Sequence, residues 1–443
     1  MTIWSPRLET SPQPIYRRIA EALERDVRSG MLVGGSQLPT HRELARSLGI
    51  TPVTVTRAYA EAARRGLVES ATGRGTFVRA VRRSGIPPAE IDLATNMVSV
   101  PPPAPSRHLL DRAGEMLVRS SYVNGSGEER FRAAGAAWIG RRTDPSHVLV
   151  TAGTQHALLL ALAAAARSGE TVLCESVTYH GARSAAALLG IRLEPVPMDR
   201  YGLLPDALDR ASSARTSKVL YTIPSLQNPT GSLMPEKRRR EIAAIAVSHG
   251  LTIIEDDVCG FLLDPTPPPI AAFAPDRTIF ITGLGKAIAP GLRIGYLSAP
   301  DELLARAQAA LSASVLVVSP VLAEIAATWI EDGTAARVTA AKRAEIALRM
   351  TLARRILGRT ASGDARSSHL WVELPKRWSP DAFAGEARRR RVRVVSASAF
   401  AVTADVPRAM RLSIGAPASL AELETALHVL AGIQDERPRE PVV

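Results

Sequence analysis

Apolar positions recur at helical spacing near the start of the chain. Ile19, Ala22, Leu23 and Val27 fall on one stripe and predict an amphipathic helix over 18–28. The stretch Leu38-Pro39-Thr40-His41-Arg42-Glu43-Leu44-Ala45 follows. In it Thr40 and Glu43 have capping-box spacing and start a second helix, which Gly49 closes. Thr51 then Pro52 open a third helix, a capping hydroxyl before a proline at the first helical position. Val55, Ala58, Tyr59 and Ala62 lie at core spacing in that helix, which leaves Thr51, Thr54, Thr56 and Arg57 towards solvent. Gly66 ends it, and Leu67-Val68-Glu69 and Thr76-Phe77-Val78 bracket a turn at Gly73-Arg74-Gly75, a short hairpin.

From about residue 107 the pattern changes. Ala/Leu/Arg helices alternate with short continuous apolar runs, among them Val148-Leu149-Val150, Thr171-Val172-Leu173-Cys174, Val219-Leu220-Tyr221, Leu251-Thr252-Ile253-Ile254 and Thr278-Ile279-Phe280-Ile281. Strands that are apolar throughout, separated by helices, predict a mostly parallel α/β sheet covered on both faces. Between the two patterns lie Arg79, Arg82 and Arg83, then Pro87-Pro88, Pro101-Pro102-Pro103 and Pro105, a composition that suits a tether or extended arm. The expected organisation is a helical head over 1–80, a linker and arm over 81–106, an α/β body over 107–435 and a tail over 436–443.

Charge sharpens this division. The first 85 residues carry 14 Arg, no Lys and 7 acidic residues, whereas the other 358 carry 41 basic and 36 acidic side chains. A small basic head on a nearly neutral body points to a polyanion as the head's partner. Overall composition is ordinary for a globular chain, with 46% hydrophobic and 22% charged residues, and only 4% aromatic. Two cysteines, Cys174 and Cys259, cannot build a disulfide framework. The N-terminus shows no basic-then-apolar leader, and the longest apolar run, Ala157 to Ala166, is far short of the roughly 20 residues of a membrane span. A soluble, cytoplasmic protein with no membrane partner and no metal site is expected.

Two helices at a tight turn, the second presenting Thr and Arg side chains, form the geometry that enters a DNA major groove. Thr51, Thr54, Thr56 and Arg57 are the candidate base readers, with Thr40, His41, Arg42, Arg74 and Gly75 beside them, Arg42 and Arg74 as phosphate contacts. The string from the first helix through L-P-T-H-R-E-L-A to G-R-G-T-F-V resembles the N-terminal winged helix-turn-helix domain of GntR-type bacterial transcription regulators over about 65 residues, which implies operator DNA as partner.

The body carries six motifs in order. Lys286, in Thr282-Gly283-Leu284-Gly285-Lys286, follows an apolar strand on a glycine-flanked turn, where a lysine can form a Schiff base with an aldehyde cofactor. Arg293 can pair with that cofactor's phosphate. Asp256 ends another strand, where ligands of open α/β sheets gather, and its carboxylate can keep a pyridine nitrogen protonated. Asn228, in Asn228-Pro229-Thr230-Gly231, can hydrogen-bond a phenolic oxygen. Gly153, Thr154 and Gln155 open a helix whose N–H groups can cradle phosphate. Tyr179 is placed to stack on the ring. Only five lysines occur in the chain, which gives the position of Lys286 weight.

Together these motifs resemble the fold type I, class I aminotransferases over about residues 91–435. Joined to the head, they resemble the MocR subfamily of GntR-type regulators. The resemblance implies pyridoxal 5′-phosphate on Lys286, with Asp256, Asn228, Tyr179 and Arg293 as cofactor contacts. It implies a mostly parallel sheet with flanking helices and a smaller C-terminal α+β subdomain. It further implies that Tyr122 reaches the phosphate in a partner subunit and that Arg411 grips the carboxylate of a substrate or effector. A head-to-tail, domain-swapped homodimer is implied too, with residues 91–106 as the exchanged arm.

Three positions depart from the family pattern. Cys259 stands where a tyrosine would contact the phenolic oxygen, and Gly283 and Gly285 replace two serines before the lysine, leaving Thr282 as a nearby hydroxyl. These losses weaken proton transfer without removing the lysine. The expectation is therefore a regulator that senses an amine, an amino acid or pyridoxal phosphate, with weak or no transaminase activity. The alternatives are a working aminotransferase with a DNA-binding appendage, and a plain repressor whose body is a dimerisation scaffold.

Overall fold

The computed structural model describes residues 4, 6, 13–28, 32, 36–71, 75–78, 90–119, 127–140, 143–213 and 217–438. Tyr122, Arg74 and the basic stretch Arg79 to Arg83 lie outside the described residues. The chain divides into two compact units, 1–89 and 90–443.

In the first unit, helices span Ile15–Arg28, His41–Leu48 and Pro52–Arg64, and strands Val68–Ala71 and Gly75–Val78 pair antiparallel. The first helix starts three residues before the expected start because the Pro14 carbonyl accepts from the N–H groups of Arg17 and Arg18. The capping box is formed: Glu43 N–H donates to Thr40 Oγ1 at 3.3 Å, and Thr40 N–H donates to Glu43 Oε2 at 2.8 Å. Gly49 closes that helix at φ +64°, a left-handed conformation that glycine adopts without strain. Thr51 caps the third helix, and Ile19, Leu23, Leu44, Val55, Ala58, Tyr59 and Ala62 form the core, as their spacing requires.

The second unit is built on a seven-stranded sheet. Its order is Val148–Thr151, Gly295–Ser298, Thr278–Gly283, Thr252–Asp256, Ser217–Thr222, Thr171–Glu175, Arg192–Val196. Only Gly295–Ser298 runs against its neighbours. Alternate residues face opposite layers. Val172, Val219 and Ile254 pack under the helices Thr154–Ala165 and Asp301–Ser314, while Leu173, Leu220 and Ile253 pack under Pro205–Ser213 and Glu236–His249. Burial of both faces is why these strands read as unbroken apolar runs.

A smaller antiparallel sheet, ordered Ala361–Ser362, His369–Glu373, Ala409–Ser413, Val395–Ser396, packs against the helices Thr334–Leu357 and Leu420–Asp435. The segment expected as an exchanged arm begins against the smaller sheet. Ile91–Asp92 pairs in parallel with Val392–Arg393 of the same chain, Leu93 and Val98 enter the small-sheet core, and Ser99 N–H donates to the Gly415 carbonyl. Residues 91–99 thus pack on the small-sheet core, which Leu93 and Val98 help to complete.

Candidate functional site

Five elements of the second unit deliver side chains to one end of the large sheet. Thr252–Asp256 ends in Asp256, Thr278–Gly283 leads into the short helix Leu284–Ala287 that carries Lys286, and Val148–Thr151 leads into the helix begun by Thr154. Tyr179 and Asn228 lie on the segments after Thr171–Glu175 and Ser217–Thr222. Thr154, Gln155, Tyr179, Asn228, Asp256, Cys259 and Lys286 line a single cavity, closed by Leu158, Ile223, Leu226 and Val258. The carboxyl ends of sheet strands are where open α/β folds bind ligands.

Asp256 is buried. Its Oδ2 accepts from the Tyr221 hydroxyl at 2.9 Å, while Oδ1 is buried with no hydrogen-bond partner. Burial pushes the carboxyl up to about 6, against the pull of the Tyr221 hydrogen bond and the Lys286 charge. An unpartnered carboxylate oxygen in such a place is the acceptor that a protonated ring nitrogen requires. Burial and Asp256 together hold the Tyr221 phenol well above its ordinary range, so it remains a donor. In the sequence Tyr221 reads as an apolar strand residue, and only the cross-strand register reveals its role.

The phosphate end is also formed. Gly153 caps the helix Thr154–Ala165 at φ +86°, and a Cβ on it would lie 3.0 Å from Arg293 Nη2. Glycine is therefore favoured by its backbone conformation, with the guanidinium lying close over it. Arg293 itself adopts φ +47° and donates to the Ala152 carbonyl at 3.4 Å. A helix N-terminus with a guanidinium and the Thr154 hydroxyl beside it forms an anion site. The Gln155 side chain, in contrast, donates to the Gly181 carbonyl at 3.0 Å.

Arg411 sits in the strand Ala409–Ser413, only 2% exposed. Nη1 donates to Asn228 Oδ1 at 3.0 Å, Nη2 donates to the Ala94 carbonyl, and the guanidinium lies 5.0 Å from the Phe400 ring centroid. Burial lowers its pKa to about 10. Asn228 therefore points its oxygen at Arg411, leaving its amide N–H groups for a ligand. Nearby, His369 is buried and held neutral, pushed down to about 3 by burial. Its Nε2 lies 2.9 Å from the Gln227 carbonyl and its Nδ1 lies 3.2 Å from Asn96 Nδ2, so hydrogen bonding assigns the proton to Nε2. Lys342, buried as well, donates to the carbonyls of Lys286 at 2.8 Å and Ile288 at 3.0 Å and so fixes the lysine turn.

The departures from the family pattern have different causes. A Cβ on Gly283 would lie 2.7 Å from Thr154 Cγ2 and 3.0 Å from Gly295 Cα, so close packing excludes a side chain there. Nothing approaches a Cβ on Gly285 within 4 Å. The Thr282 hydroxyl donates to the Asp257 carbonyl at 3.1 Å, and Cys259 is a buried thiol on the cavity wall, raised by burial.

In the head, several candidates serve the fold. Thr40 caps a helix, and His41 packs edge-on against Tyr59 at 5.1 Å, with its Nδ1 3.3 Å from Thr56 Oγ1. Arg42, Thr51, Thr56, Arg57 and Gly75 are exposed and Thr54 is half-buried. Among the described residues no cluster of three or more His, Cys, Asp or Glu is arranged to hold a metal, and no helix is long and apolar enough to cross a membrane.

Comparison with known proteins agrees with this two-part architecture. Residues 88–430 match the family of aminotransferases of class I and II, and residues 15–78 match the bacterial regulatory proteins of the gntR family. The chain is 31% identical to the uncharacterized HTH-type transcriptional regulator YdeF of Bacillus subtilis (strain 168), over 98% of this chain and 97% of that one. It is 32% identical to the HTH-type pyridoxine biosynthesis transcriptional regulator PdxR of Corynebacterium glutamicum, over 65% of this chain and 67% of that one. Among solved structures, LysN, the α-aminoadipate aminotransferase of Thermus thermophilus complexed with N-(5′-phosphopyridoxyl)-L-leucine, superposes with a TM-score of 0.69 at 25% identity. That match covers 84% of this chain and 97% of LysN.

Proposed function

The chain belongs to the aminotransferase class I and II family, joined to a gntR-family head in the MocR layout, and on that premise we propose that it is a DNA-binding transcription regulator whose body senses a small amine. Pyridoxal 5′-phosphate is the cofactor of this family, and the residues present fit it. Lys286 is the covalent anchor, Asp256 Oδ1 receives the ring N–H, and Asn228 offers its amide to the phenolic oxygen. The Gly153–Thr154 turn and Arg293 take the phosphate. When bound, the cofactor supplies an aldehyde carbon that exchanges one amine for another and a ring that withdraws electrons.

Every further step falls to the chain's own groups. An arriving amine competes with Lys286, and a carboxylate on that amine would be held by Arg411, through charge-assisted hydrogen bonds. Such a ligand shifts an equilibrium only by its differential affinity for two arrangements of the body. Free pyridoxal phosphate is the other candidate signal, since it occupies the same residues. The observation that carries the reading is the buried, unpartnered Asp256 oxygen in the Lys286 cavity, within a chain that also carries a helix-turn-helix head.

The test is the visible spectrum of the full chain with pyridoxal phosphate, before and after a panel of amino acids and amines, beside Lys286→Ala. A yellow species absent from Lys286→Ala and altered by a few amines is expected, together with a change in affinity for selected DNA in the wild type alone. An equal DNA response from both proteins would refute sensing through Lys286. Steady multiple turnover with an amino donor and an oxo-acid acceptor would instead make the body an enzyme.

A further inference from the structure

We infer that Val53 reads sequence in the head by seating against the 5-methyl group of a thymine in the major groove; the inference rests on the DNA-binding reading above. Val53 is the second residue of the helix Pro52–Arg64 and is 63% exposed, while Val55, Ala58, Tyr59 and Ala62 of the same helix are buried. The hydroxyls flanking it already have partners within the head. Thr51 Oγ1 and Thr54 Oγ1 lie 2.9 Å apart, Thr51 Oγ1 accepts the Thr54 N–H, and the Thr56 hydroxyl donates to the Pro52 carbonyl at 3.0 Å. Pro52 itself has no N–H to offer. The first turn of this helix therefore presents an aliphatic group where polar readers were expected.

Its surroundings say what covers that group. The Arg42 and Arg57 side chains are exposed on the two helices, and among the described residues neither makes an ion pair or a side-chain hydrogen bond. An exposed apolar side chain on a small head that also carries unpaired, exposed guanidinium groups suits a surface that is anionic at its edges and carries an apolar group in its groove. In duplex DNA, phosphates supply the first, and the thymine methyl supplies the second. A β-branched side chain in a helix is nearly fixed at χ1, so little freedom is lost on contact.

The experiment selects preferred sequences from a randomised duplex pool with the full chain, then replaces each thymine in turn by deoxyuridine, which lacks only the methyl. Wild type and Val53→Ala are compared, with urea unfolding to verify that truncating this exposed side chain leaves stability unchanged. At one thymine or more, deoxyuridine is expected to weaken wild type about fourfold, the worth of about one buried methyl(ene). Val53→Ala should bind both bases equally there and keep the wild-type response elsewhere. Retention of the full methyl discrimination by Val53→Ala, or no thymine at which wild type discriminates, overturns the inference. Failure of wild type to enrich any sequence overturns the DNA-binding reading itself.

Discussion

Replacing Asp256 by Asn separates the charge of the site from its shape. The amide keeps the outline of the side chain, and its oxygen still accepts from Tyr221, but the carboxyl that burial holds at about 6 is gone. In the cofactor-free wild type the folded state favours the protonated carboxyl over the ordinary value of 3.8. That contribution to stability is fully present below 3.8 and is lost as the pH rises through about 6. Two pKa units at about 1.36 kcal/mol each amount to about 3 kcal/mol, complete by about pH 8. Cofactor-free Asp256→Asn should therefore gain about 3 kcal/mol on wild type between about pH 4 and pH 8, read by urea unfolding at several pH values with near-ultraviolet circular dichroism. Glu255, held at about 7 by burial, titrates in both proteins and drops out of the difference. Saturating pyridoxal phosphate should reverse the order at pH 8, because the ionised carboxylate then faces a cation. Parallel pH profiles for the two cofactor-free proteins would refute the reasoning.

Four other substitutions follow from the packing and the hydrogen bonds. Gly283→Ser should destabilise the body by about 1–3 kcal/mol, by overpacking against Thr154 and Gly295, whereas Gly285→Ser should leave urea midpoints unchanged. Arg411→Leu strips the buried acceptor Asn228 Oδ1, at about 1–3 kcal/mol, and the half-buried Ala94 carbonyl, at less. Spectral titration should then show the same apparent affinity for an amino acid and for its decarboxylated amine. Thr40→Ala removes the capping box and should lower the stability of the head by about 1 kcal/mol in thermal melts.

What was legible in the sequence was local or chemically constrained. The capping box at Thr40 and Glu43 and the core stripe of the third helix lie within a few residues of each other, so spacing alone locates them. Lys286 and Asp256 stand out because a reactive side chain after an apolar strand has few roles, and Asn228 because the turn Asn228-Pro229-Thr230-Gly231 fixes its amide. The remaining features depend on distances between strands, which spacing does not encode. Tyr221 looks like core until the neighbouring strand sets its hydroxyl against Asp256. Gly283 looks like a lost serine until Thr154 and Gly295 are seen to close on it. Arg411 and Ala94 meet across 317 positions of chain. Residues 91–106 read as an exchanged arm through the family resemblance alone, and spacing does not show that Leu93 and Val98 enter the small-sheet core.

The contact between Arg411 and Ala94 bears on sensitivity. On the sensing reading proposed above, a carboxylate that claims both Nη groups has to displace the Ala94 carbonyl, part of a segment whose continuation leads back to the head, whereas the Nε–H is without a partner. Apparent affinity is then the intrinsic affinity scaled by the fraction of molecules whose guanidinium is open. Each 1.4 kcal/mol or so by which the closed arrangement is favoured raises the concentration needed for response about tenfold. On that proposed reading, the resting contact is a threshold that tunes the protein to abundant ligands rather than to traces.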